Sequence, residues 1–250
     1  MTPGFAKRRS EVPWLPYPEN DRVIINPHRL PAPAGGFDGS INGKTPVACW
    51  CPTHDSSGYG TTTMYDLSGN SNDVALNSID TSTFWVSDTG AGGSYAIDSD
   101  GVDDYGLATD SADLDSVVAM SFWLYPETGG SWQRIFYGKI DVNFNRTDGR
   151  FRVGSKLTAT GVCTLGSWQN FVLVENGSNV DVYRNNVFIT SLATLLGMNN
   201  ATDLKLMQFA SADPSFNYYG KMDDIRMFDQ SLDAADRSDL YASGAGRGVS

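Results

Sequence analysis

Residues 179–192 read Asn179-Val180-Asp181-Val182-Tyr183-Arg184-Asn185-Asn186-Val187-Phe188-Ile189-Thr190-Ser191-Leu192. Val180 and Val182 alternate with Asp181 and Tyr183, the period-two pattern of a strand that buries one face. A second run, rich in β-branched and aromatic residues, follows after only Asn185-Asn186, two residues that tolerate positive φ. Two strands joined by such a pair form a tight antiparallel hairpin. Antiparallel pairing through short turns therefore sets the class of the fold.

The same pattern extends in both directions. Strand-like segments lie at 47–51, 73–76, 94–98, 104–108, 117–125, 134–139, 141–145, 150–153, 168–175, 204–209 and 218–228. With the hairpin these make about a dozen strands, more than an immunoglobulin sandwich holds and suited to an elaborated jelly roll. Composition agrees, with 26 Gly, 11 Pro and 12% aromatic residues. The acids are skewed, because Glu11, Glu19, Glu127 and Glu175 are the only glutamates among 29 acidic residues. Asp suits turns and Glu suits helices, so the skew favours a loop-rich β protein. One short helix is expected at the C-terminal end, with Ser231 as N-cap, Asp233 and Asp236 near the first turn, and Gly244 as stop. Leu232, Ala235, Leu240 and Tyr241 would form its apolar face.

Residues 1–44 differ from the rest, and two units are expected: an extended arm over 1–44 and a sandwich over 45–250. Prolines at 3, 13, 16, 18, 27, 31 and 33 deny the arm both helix and central strand. Its apolar residues suit an extended segment lying on another surface, and Phe5, Arg8, Arg9, Trp14, Tyr17 and Ile24 are the candidate anchors. Lys7, Arg8, Arg9, Arg22 and Arg29 outnumber Glu11, Glu19 and Asp21 in the first 30 residues, on a chain of net charge −11. A basic arm on an acidic body fits docking to an acidic partner.

The net charge argues against nucleic acid as partner, since phosphate binding needs a concentrated basic surface. Ser10-Glu11-Val12-Pro13-Trp14 is polar and broken by proline, unlike a secretory signal, and no stretch reaches transmembrane length. Cys49, Cys51 and Cys163 are too few and too oddly placed for a disulfide framework.

Six motifs in order resemble the laminin-G-like, concanavalin A-like lectin jelly rolls. They are Asp66-Leu67-Ser68-Gly69-Asn70-Ser71-Asn72-Asp73, Asp100-Gly101-Val102-Asp103-Asp104-Tyr105, Met120-Ser121-Phe122-Trp123-Leu124-Tyr125-Pro126, Gly166-Ser167-Trp168 with its following strand, Val182-Tyr183-Arg184-Asn185-Asn186-Val187, and Gly220-Lys221-Met222-Asp223-Asp224-Ile225-Arg226-Met227-Phe228. The resemblance spans residues 46–244. It implies an all-β, two-sheet antiparallel jelly-roll sandwich with an extended N-terminal arm and one short C-terminal helix.

The resemblance also implies a calcium site of the kind many members hold. Asp66, Asn70, Asn72 and Asp73, with Asp223 or Asp224 from a neighbouring strand, are the candidate oxygen ligands. The competing reading is a cluster of Asx turns in which each side chain caps its own loop. Glycoside-hydrolysing relatives present paired carboxylates as E-x-D-x-x-E on one strand, and no such pattern occurs here. Asp103-Asp104 and Asp223-Asp224 are adjacent, so in strands they would face opposite ways. With His28 and His54 the only histidines, a triad is poorly supported, and Cys49-x-Cys51-x-x-His54 reads better as buried strand than as zinc site.

Trp50, Phe122, Trp123, Phe136, Trp168, Phe171 and Phe188 fall in strands and read as core. Tyr125, Trp132, Phe216, Tyr218 and Tyr219 flank turns and are the candidate ligand-binding rings. The expectation is a non-catalytic structural or recognition module. In the leading form it decorates the surface of a virion such as a phage capsid, is made in the host cytoplasm and is anchored to a capsid protein by the arm. The alternatives are an extracellular, free carbohydrate-binding lectin, with or without calcium, and, third, a glycoside hydrolase of the same fold.

Overall fold

A computed structural model describes residues 39–52, 54, 57–92, 94–128, 132–198, 200–208 and 216–242. The candidate anchors Phe5, Arg8, Arg9, Trp14, Tyr17 and Ile24 lie outside the described residues, as does Gly244. The strands form two antiparallel sheets. Sheet I runs β14 (Val187–Leu192), β13 (Asn179–Arg184), β12 (Gln169–Asn176), β7 (Ala119–Pro126), β16 (Tyr219–Phe228), β5 (Ala96–Asp100) and β4 (Trp85–Val86), with β1 (Ala48–Trp50) also paired to β16. Sheet II runs β11 (Lys156–Leu157), β10 (Phe151–Val153), β9 (Val142–Asn145), β8 (Trp132–Gly138), β15 (Leu204–Leu206), β6 (Tyr105–Ala108), β3 (Val74–Asn77) and β2 (Thr63–Met64). The two-sheet sandwich expected from the sequence is the observed architecture.

The Asn-Asn hairpin joins β13 to β14 with φ of 51° at Asn185 and 60° at Asn186, the doubly positive geometry of a two-residue turn. Period-two alternation then sends Met120, Phe122 and Leu124 of β7 and Phe171 and Leu173 of β12 between the sheets, where all are fully buried. They meet Phe136, Phe144 and Phe151 of sheet II. The Phe151 and Phe171 rings stack at 4.6 Å, and Phe122 meets Phe136 edge-on at 5.1 Å. Each such ring contributes about 1.5–3 kcal/mol by burial, and ring pairing adds roughly 0.5–1.5 kcal/mol.

A bulge in β16 between Asp223 and Arg226, with Asp224 at φ 44°, breaks the alternation, so the expectation that Asp223 and Asp224 face opposite sides does not hold. Both are buried. Asp103 and Asp104 likewise escape strand alternation, because they lie in the turn before β6.

The outer face of sheet I is covered at one end by α3 (Ala234–Tyr241). Leu232 and Leu240 join Phe228, Val172, Val174 and Ile41 in a second apolar cluster. The N-cap is Asp233 and not Ser231, because the Asp233 carboxylate accepts from the Ala235 and Asp236 amides while Asp236 reaches back to the Asp233 amide. Ala235 is exposed, and Asp236 takes the buried place on that face, where it receives Lys44 and the Asn42 side chain. Residues 39–44, read from sequence as the end of the arm, are thereby fastened to the sandwich. Two four-residue helices were not expected: α1 (Thr81–Phe84), capped by Asp80, and α2 (Ala112–Asp115), capped by Ser111. Among the described residues no helix is long and apolar enough to cross a membrane.

Candidate functional site

Beyond the reach of α3, the outer face of sheet I carries a row of side chains set by strand register. Lys221 of β16 lies opposite Tyr125 of β7 on one side and Asp98 of β5 on the other. The Lys221 Nζ stands 4.5 Å from the Tyr125 ring centroid, 2.8 Å from the Asp88 carboxylate and 3.7 Å from Glu127. Trp168 meets Tyr125 edge-on at 5.6 Å, and its indole N–H donates to Asp88 at 3.1 Å. Two glycines allow this close assembly. A Cβ on Gly90 would come within 2.4 Å of the Trp168 ring, and one on Gly220, at φ 132°, within 2.2 Å of the Tyr125 carbonyl oxygen.

Beside the row opens a cleft of about 290 Å³ lined by Asp80, Asp98, Asp100, Asp104, Glu127 and Tyr219, among others. Partial burial pushes the Asp98 carboxyl up to about 6, with Lys221 opposing and Glu127 and Asp88 reinforcing the shift. Burial likewise raises Asp104 to about 6, against a hydrogen bond from the Asp100 amide. Asp88 is lowered, chiefly by its hydrogen bond from Lys221. Burial disfavours the Lys221 charge, yet Asp88 and its neighbours hold the ammonium above its ordinary value. Aromatic edges beside closely packed hydrogen-bonding groups suit a polyhydroxylated ligand, whose C–H faces stack and whose hydroxyls bridge carboxylates and ammonium.

The five ring candidates separate. Tyr219 lines this cleft, and Tyr125 stands in the row beside it, in contact with Trp168. Trp132 belongs to β8 in sheet II and pairs in register with Asn145, and Phe216 lies near the isolated bridge between Arg134 and Asn217. Tyr218 is wholly buried and donates its hydroxyl to the Lys221 carbonyl at 2.9 Å, so it is core and not a ligand contact. Trp168 and Phe188, read as core, are partly and largely exposed respectively. Trp123 is buried as expected, but on the outer face, where Tyr241 stacks on it at 5.8 Å.

The candidate calcium ligands take part in hydrogen bonds within the fold. Asp66 accepts the Cys49 and Ser68 amides on one oxygen and the Asn72 amide and Ser68 hydroxyl on the other. Asn70 and Asn72 turn their NH2 groups to the Val47 carbonyl, and Asp73 accepts the Asp66 amide. Asp223 accepts from Gly90 and Ala91, and Asp224 pairs with Arg226. Around Asp66 these bonds make a hydrogen-bonded turn network, while one oxygen of the buried Asp224 carboxylate has no hydrogen-bond partner among the described residues. Asp100, Asp103 and Asp104 bring carboxylate oxygens within 4.8 Å of one another, a grouping that sequence reading did not single out as a site. Burial pushes the Cys51 thiol well up, and the nearby Asp224 and Cys49 reinforce the shift.

A family model described as the concanavalin A-like lectin/glucanases superfamily matches residues 99–236. No curated protein sequence matches the chain. Among solved structures, domain 4 of AbnA, an extracellular arabinanase from Geobacillus stearothermophilus in complex with arabinotriose, is similar with TM-score 0.60 and 15% identity, over 79% of this chain and 98% of that one. The binding domain of Paraclostridial Mosquitocidal Protein 1 gives 0.59 and 14%, over 79% of this chain and 52% of that one. Trypanosoma rangeli sialidase in complex with sialic acid gives 0.59 and 8%, over 83% of this chain and 34% of the sialidase. At such identities the likeness establishes the fold alone. Two facing antiparallel sheets and a family match over more than half of the sequence show that the chain belongs to the concanavalin A-like lectin/glucanases superfamily.

Proposed function

We propose that this protein is a non-catalytic carbohydrate-binding domain whose ligand lies along the Tyr125–Lys221–Asp98 row and enters the adjoining acidic cleft. The observation that supports this most is the placing of two partly exposed, touching rings, Tyr125 and Trp168, beside a cleft rich in hydrogen-bonding groups and lined also by Tyr219. The arabinotriose-bound state of its structural neighbour is consistent with a short oligosaccharide as ligand. A glycan array read with and without chelator tests the proposal. Retention of defined glycans that does not depend on the chelator supports it, and a blank array counts against it. New reducing ends after incubation with polysaccharides would favour a hydrolase instead.

A second reading places the domain on the surface of a virion or similar assembly, held by residues 1–38. The small excess of cations over acids in that segment, against a strongly acidic body, favours it. Removing residues 1–38 should abolish attachment to such particles while leaving the sandwich folded. Normal attachment of the shortened chain would exclude the segment as anchor.

A further inference from the structure

Strand alternation fixes what stands next to the Tyr125–Lys221 row. On β7, Phe122 and Leu124 point into the core, so Ser121, Trp123 and Tyr125 share the outer face, and Trp123 lies two residues, roughly 7 Å, from Tyr125. Asn170 of β12 and Asp223 of β16 are its register partners on either side. Trp123 is 2% exposed, and Tyr241, the last residue of α3, lays its ring over the indole at 5.8 Å with 14° between the planes.

Beneath that ring, polar groups stay unmet. The Trp123 indole N–H has no acceptor and the Asn170 side-chain carbonyl no donor among the described residues, although both atoms are buried. Asn170 turns its NH2 to the Ser121 hydroxyl at 3.2 Å. Buried donors and acceptors are paired in most folds, so an unmet donor and acceptor on facing strands mark a place that something else completes. Tyr241 stacks on the indole and satisfies neither group. The helix end that carries it is the less secured one. The Asp233 capping box and the Lys44–Asp236 pair fasten α3 at its start, whereas Ala242 closes it at φ 41°, left-handed backbone that disfavours a residue with a Cβ. Leu240 is held in the second apolar cluster, so rotation of the half-buried Tyr241 side chain is enough to uncover Trp123.

We propose that the Trp123–Asn170 niche is a second sugar subsite, continuous with the Tyr125–Trp168 row, and that Tyr241 is its lid. This inference rests on the carbohydrate reading of that row. An indole face with one unmet N–H donor and one unmet carbonyl acceptor beside it matches a single sugar ring. The C–H face of that ring stacks where Tyr241 does, and its hydroxyls accept from the indole and donate to Asn170. With the lid shut a ligand meets only the row. With it open a longer oligosaccharide runs on along β7 by one more unit. Binding that needs the open form is weakened according to the fraction of molecules in which the lid is shut, so the Tyr241 ring sets a preference by ligand length.

NMR titration of the full chain with oligosaccharides graded in length, arabinotriose included, tests this through the indole signals. Tyr241→Ala should bind the longer members several-fold more tightly than the unmutated chain does, with the Trp123 signal shifting alongside that of Trp168. Tyr241→Phe, which keeps the ring, should match the unmutated chain. Hydrogen exchange gives a reading that needs no variant: the Trp123 indole N–H should exchange faster than that of Trp50, which is also buried but donates to the Asn72 carbonyl at 2.7 Å. Trp123 exchange as slow as that of Trp50, no gain in affinity for Tyr241→Ala, an equal gain for Tyr241→Phe, or Trp168 shifts with Trp123 silent in Tyr241→Ala would each overturn the subsite and leave the row standing. No shift at either indole with any sugar would remove the row and the subsite together.

Discussion

Arg226 and Asp224 face each other at 2.6 Å with neither side chain exposed. The bulge in β16 places the two groups together, and the guanidinium also donates to the Gly39 carbonyl at 3.0 Å, tying residues 39–44 to the sheet. Arg226 is held charged despite its burial, with Asp224 as the chief cause. Removing one partner leaves the other buried without its counter-charge. Arg226→Met should therefore destabilise the fold by about 3–5 kcal/mol in urea unfolding. Arg226→Met combined with Asp224→Asn should cost less than the sum of the two single changes. Strict additivity would mean that the pair is not coupled.

Asp66 organises its turn through four hydrogen bonds, so its contribution should be structural and indifferent to calcium. Asp66→Ala should lower stability by roughly 1–3 kcal/mol, the cost of leaving such donors unmet. That loss should be the same in calcium and in chelator. A difference confined to the unmutated protein would show that Asp66 holds the ion.

The acids of the cleft give stability a pH dependence of definite sign. Asp98 and Asp104 are raised to about 6 in the folded chain from an ordinary value of 3.8. Between these values the folded state binds more protons than the unfolded state, so stability from this pair is fullest at low pH and declines as pH rises from about 4 through 6. Asp98→Asn should flatten that part of the profile. Thermal unfolding followed across pH 4–7 checks the slope, and an unchanged slope in the variant would remove Asp98 as a cause.

How much of this was legible in the sequence depends on how far each feature reaches along the chain. The Asn185-Asn186 turn needs only local chemistry and was plain. The Asp66 turn was located correctly, but composition alone could not separate a cation shell from a hydrogen-bond network, because both use the same oxygens. The row of Tyr125, Lys221 and Asp98 depends on register among three strands far apart in sequence, which no local pattern contains. Trp168 was read as core because it stands where a strand begins, and its exposure follows from the Tyr125 and Gly90 side of the sheet. Tyr218 and Tyr219 are neighbours with opposite fates, decided by which one enters β16 facing outward.

Gly90 supports the site without lining its cleft. A methyl group there would stand 2.4 Å from the Trp168 ring and must displace it. Gly90→Ala should weaken glycan binding several-fold while changing the melting temperature little, since the ring lies near the surface. Titration calorimetry with a ligand found on the array reads the effect, and unaltered affinity would mean that the position of Trp168 is irrelevant to binding.

The central claim is that the Tyr125, Trp168 and Lys221 face binds carbohydrate, and NMR titration of the labelled full chain with a panel of oligosaccharides, arabinotriose included, tests it most directly. The Trp168 indole signal should shift on saturation, Trp168→Ala should weaken binding about tenfold, equivalent to ~1.4 kcal/mol, and Trp132→Ala in the opposite sheet should leave it unchanged. Shifts centred on Trp132, or no shift with any sugar, would contradict the account.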